Sequence, residues 1–176
     1  MSERPIGVFI LSILMIIGGV FLAPVMIMVM FTPQDVVDSI EVIGVNMMLV
    51  AFAGMFIALL SITAGVGMIL GTRWGWYLGT FYYVYSIARS LSALVTLAFL
   101  PLGELVQEAS SQNQYVKFSV RALISFLILL YLLRPSVKES LDAGDESTGR
   151  ALLIMVGICV GITLLGTGLN YFVVSN

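Results

Sequence analysis

Apolar residues fall along this chain in long unbroken runs, with polar residues confined to short intervals between them. Five runs reach the roughly 20 residues needed to cross a hydrocarbon core about 30 Å thick. They cover about Ile6–Phe31, Ile43–Leu70, Trp74–Leu100, Tyr115–Leu133 and Ala151–Val174. None alternates with period two, so each predicts a helix and not a barrel strand. The pattern therefore predicts an all-α polytopic transmembrane bundle of five spans, a single membrane domain over residues 1–176 with a short linker at 134–150. The first run is too long for a signal-peptide core and no small-x-small cleavage site follows it, so it reads as a retained helix. Pro24 lies inside it and predicts a kink.

Basic residues set the orientation. Arg4, Arg73, Arg134, Lys138 and Arg150 flank alternate ends of the runs, whereas the intervals with Asp35, Asp38 and Glu41 and with Glu104 and Glu108 contain none. The expected topology places the N-terminus in the cytoplasm and the C-terminus outside. Aromatic residues agree: Trp74, Trp76, Tyr77 and Tyr131 mark the inner boundary, and Phe31, Tyr115, Tyr171 and Phe172 the outer one. The linker carries Asp142-Ala-Gly-Asp-Glu-Ser-Thr-Gly149, which matches neither an EF-hand loop nor a P-loop and reads as solvated and cytoplasmic.

Composition narrows the function further. Of 176 residues 60% are apolar and 10% charged, and the mean hydropathy is +1.08. A net charge of −2 argues against nucleic acid as a partner. A single Cys and no His remove disulfide frameworks and the usual metal ligands and general bases. The spans contain no carboxylate, and the chain has no GxSxG and no phosphate-binding Gly loop, so catalysis is not expected. Met26, Met28, Met30, Met47 and Met48 offer soft sulfur, but no His or extramembrane Cys assists them, and neither metal nor cofactor is expected. Cys159, set among apolar residues in mid-span, reads as an inert thiol.

Arg89 stands out because it lies near the middle of the third run, where a lipid-facing guanidinium costs from about 2.5 to over 10 kcal/mol. Tyr82, Tyr85, Ser86, Ser92 and Thr96 recur at helical spacing around it and predict one polar stripe. Such a stripe suits an interhelical clasp, a contact with another subunit, or a path for an anion or polar solute. Lys117 and Arg121, at i and i+4, form a basic pair near the outer end of the fourth run. Arg121 and the deeper Arg89 can line an anion-attracting vestibule; alternatively Lys117 snorkels to headgroups and Arg121 pairs with Glu104 or Glu108. Small residues predict close helix contacts: Gly157, Gly161 and Gly168 in the fifth run, Thr63, Gly67, Gly71, Gly54 and Ala58 in the second, Gly19 and Ala23 in the first.

The segments Arg4-Pro-Ile-Gly-Val8 and Gly71-Thr-Arg-Trp-Gly-Trp76 together resemble small multispanning membrane proteins of unassigned function in archaea and bacteria. The resemblance implies a four-helix membrane core, to which this chain adds a fifth span. The expected role is a non-catalytic accessory or scaffolding subunit, in the bilayer with other membrane proteins or with itself. The alternative is a small transporter or channel component passing an anion or polar solute along the Arg89 stripe.

Overall fold

A computed structural model describes residues 5–31, 47–99 and 108–174, with side chains throughout except at 47, 49, 96–99, 108–114 and 163–174. Six helices account for nearly all of it: α1 Ile6–Met30, α2 Met47–Leu70, α3 Arg73–Phe99, α4 Glu108–Leu132, α5 Pro135–Ser140 and α6 Thr148–Val174. No strand occurs among the described residues. Three stretches, Ile6–Met30, Val50–Leu70 and Tyr115–Leu132, are long and apolar enough to cross a membrane, and Thr148–Ile162 is a shorter apolar helix. At 27 residues α3 is long enough as well. Arg73, Thr80, its tyrosines, Ser86, Arg89, Ser90 and Ser92 dilute its apolar character. Through Pro24 α1 runs on as one helix.

The helices pack in chain order, α1 on α2, α2 on α3 and α3 on α4, while α6 lies chiefly against α3. Backbones come close where side chains are small. A Cβ on Gly65 would sit 2.7 Å from the Ser12 carbonyl oxygen, and one on Gly19 would sit 2.7 Å from that of Ala58. Beside them Ser61 donates to the Met15 carbonyl at 2.8 Å.

The Gly71–Trp76 segment folds as a compact corner. Gly71 ends α2 with φ 69°, a left-handed conformation that glycine adopts without a Cβ clash. Thr72 then caps α3: its hydroxyl accepts from the Gly75 amide at 3.2 Å and donates to the Gly67 carbonyl at 3.0 Å. A side chain on Gly67 would meet Gly75 Cα at 2.7 Å, which holds the two helices at backbone contact.

The interval between α4 and α6 departs from the solvated linker expected of it. Val137, Leu141 and Ala143 are buried, and α5 folds back to close the end of the bundle. Lys138 is only 6% exposed; its ammonium donates to the Glu146 carbonyl and to Thr148 Oγ1, and lies 5.5 Å from the Trp76 ring centre. Trp76, expected at the inner boundary, is fully buried and donates from Nε1 to the Leu132 carbonyl at 2.9 Å. The reason is local. A short apolar triplet in a polar interval has enough surface to join the core cluster with Trp76 and Leu132, and the hydrogen bonds that Lys138 donates offset the cost of burying its charge.

Candidate functional site

Two faces of α3 carry the polar residues, and they point to different neighbours. On the inner face Ser86 Oγ lies 3.0 Å from Ser125 Oγ of α4, and Ser90 donates to the Ser86 carbonyl at 2.8 Å. Ser86 thus leaves the predicted stripe and joins the α3–α4 interface. On the other face Trp74, Tyr77, Phe81 and Tyr85 follow one another at intervals of three and four residues. Trp74 and Tyr77 have ring centres 6.4 Å apart, and Phe81 stacks on Tyr85 at 6.4 Å. Tyr82 and Tyr85 are half-buried, whereas Arg89 and Ser92 are exposed. The side chain of Thr96 lies outside the described residues.

Arg89 therefore does not occupy the centre of a closed bundle. It sits within about 5 Å of the midpoint of α3, at 1.5 Å per residue, on the outward surface. The ion pair found among the described residues is Arg73 with Glu146, at 3.5 Å, far along the chain from it.

Alongside the aromatic face, α2, α3 and α6 leave a trough. Its larger part, a cavity of about 670 Å³, is walled by Trp74, Tyr77, Phe81, Phe56, Leu60 and the Arg150–Ile162 side of α6, with Glu146 at the same end as Arg150. A second cavity of about 280 Å³ continues it past Tyr82 and Tyr85. The sequence reading assigned Trp74, Tyr77 and Arg150 to topology alone. The signal for the trough was available in the three-and-four spacing of aromatic residues on α3.

Lys117 and Arg121 are both exposed and share a cleft of about 410 Å³ with Tyr83, Val120, Ile124 and Ser125. Arg89 is not among its walls, so Arg121 and Arg89 do not share this cleft. Glu104 and the side chain of Glu108, expected as partners of Arg121, lie outside the described residues.

The packing residues divide. Gly67 makes the predicted close contact, but Gly71 serves the turn, and Thr63 is exposed with its hydroxyl bonded to the Leu59 carbonyl at 2.7 Å. Around Gly157 and Gly161 no described atom beyond the adjoining residues and backbone of α6 itself lies within 4 Å of where a Cβ would be. The GxxxG of α6 therefore packs against no other described helix of this chain. Gly168 has no described surroundings. Among the described residues no group of three or more His, Cys, Asp or Glu comes together. Cys159 is buried.

Compared with known proteins, the chain matches no family model, no curated protein and no solved structure.

Proposed function

We propose that this chain is a non-catalytic membrane protein of five spans, N-terminus in the cytoplasm and C-terminus outside, that serves as an accessory or scaffolding subunit. It docks through the Arg89 face of α3 on another membrane protein. The observation that carries this reading is the exposed guanidinium near the middle of α3, with no ion pair among the described residues. Hydrocarbon is a costly neighbour for it, and a carboxylate or a ring of carbonyls on a partner helix removes that cost. The open surface at Gly157 and Gly161 supports the same reading, since this spacing admits a second helix at backbone distance.

The test is purification from the source membrane in mild detergent. A subunit elutes with a partner at fixed stoichiometry. Arg89→Leu leaves a buried partner carboxylate uncompensated and weakens assembly by about 3–5 kcal/mol, with the isolated chain still folded. Elution of the chain alone, or a complex indifferent to Arg89→Leu, overturns the proposal. The second reading, an anion or polar-solute path, draws on the Tyr82 and Tyr85 hydroxyls that lead toward Arg89. Because that stripe is open on one side, the path requires a second copy to enclose it. It predicts flux in liposomes containing this chain alone, lost in Arg89→Leu and partly restored in Arg89→Lys.

A further inference from the structure

The trough between α2, α3 and α6 changes character along its length. At the linker end stand Arg150 and Glu146, with Trp74 beside them 76% exposed. Beyond Tyr77 the described walls are hydrocarbon and aromatic as far as Ile162, which the larger and smaller cavities share with Phe56, Leu60 and Phe81. As far as Ile162, the last residue of α6 whose side chain is described, the trough follows α6 from Arg150 for about 18 Å at 1.5 Å per residue.

Of the two charged residues that wall the mouth, Glu146 is engaged by Arg73 at 3.5 Å, whereas Arg150 is exposed and in no ion pair among the described residues. A cavity of about 670 Å³ falls in the range of small-ligand sites, roughly 300–1,000 Å³.

We propose that the trough binds one anionic phospholipid from the leaflet at the linker end. Its phosphate rests on Arg150, and one acyl chain lies along Tyr77, Phe81, Leu60 and Ile158. Basic pockets between membrane helices hold acidic headgroups in this way. Below the mouth the described walls offer a water-soluble anion no charged group, only the Tyr82 and Tyr85 hydroxyls of the smaller cavity. The proposal rests on the membrane-spanning reading but not on docking at Arg89, because its readout is taken on the isolated chain.

Native mass spectrometry of the full chain, released from nanodiscs of equal dioleoylphosphatidylglycerol and dioleoylphosphatidylcholine, tests it. The expected spectrum has one retained phosphatidylglycerol, about fivefold in excess over phosphatidylcholine, as expected from the ~1 kcal/mol that one basic residue adds near anionic headgroups. Arg150→Gln reduces that excess to parity and Arg150→Lys keeps it. Ile158→Trp fills the trough and lowers retention of both lipids. Should Ile158→Trp fail to fold, the Arg150 pair, at an exposed position, still decides. Inorganic phosphate in excess displaces no lipid. Equal retention of the two lipids by the unaltered chain, or an excess that survives Arg150→Gln, overturns the proposal. So does a lipid-free dimer that Ile158→Trp dissolves, which assigns the trough to a second copy.

Discussion

At the linker end of the bundle, Trp76 and Lys138 bond to backbone that has no other described donor at hand. Trp76 Nε1 takes up the Leu132 carbonyl, one of the last carbonyls of α4, which the helix cannot satisfy internally. Trp76→Phe keeps an aromatic ring but strands that carbonyl and leaves a small void. Stability should fall by about 1–3 kcal/mol, read as a lower melting temperature in detergent. Lys138→Met preserves the packed stem and removes the donor to Glu146 and Thr148. A similar loss of about 1–3 kcal/mol is expected. A change below about 0.5 kcal/mol, usual for a surface position, would mean that Lys138 is solvated after all.

Glycines at equivalent spacing do different work in different helices, and substitution separates them. Gly65 lies where α2 meets the backbone of α1, and a Cβ there would sit 2.7 Å from the Ser12 carbonyl oxygen. Backbone cannot yield as a side-chain tip can, so Gly65→Leu should cost about 1–3 kcal/mol or abolish the α1–α2 crossing. Gly161→Leu adds a larger side chain to open space on α6. The melting temperature of the isolated chain should stay unchanged within about 0.5 kcal/mol equivalent. Assembly with a partner should weaken if the GxxxG face is the docking surface. Loss of stability in the isolated chain would place another helix of the same chain against Gly161.

The molecule as a whole is an open bundle: α1, α2, α3 and α4 pack in sequence, and α6 attaches chiefly to α3. That openness creates both the trough and the outward Arg89 face. The proposed orientation predicts that a reporter fused after Asn176 is active on the outside and one inserted at Gly144 on the inside. It follows from Arg73, Arg134, Lys138 and Arg150 lying together at the linker end. An internal signal from the Asn176 fusion would mean that α6 returns without crossing.

Helices over all five apolar runs were legible from hydropathy, because apolarity sustained over some 20 residues depends on no neighbour. The polar face of α3 was partly legible for the same reason, since Tyr82, Tyr85, Arg89 and Ser92 recur at helical spacing whatever surrounds them. Which way that face turns was not legible. Ser86 joined α4 through Ser125 while Arg89 turned outward, a choice made by helix rotation against neighbours. The small-residue motifs failed in the same manner: Gly157 and Gly161 have the spacing of a contact, Gly65 and Gly75 make one, and spacing alone does not name a partner. Residues 134–150 look polar in composition, yet Val137, Leu141 and Ala143 are buried, because they join the apolar cluster that holds Trp76, Leu132 and Ala151. Periodicity and charge are properties of one segment. Rotation, contact and burial belong to pairs of segments, and only the packed structure selects the pairs.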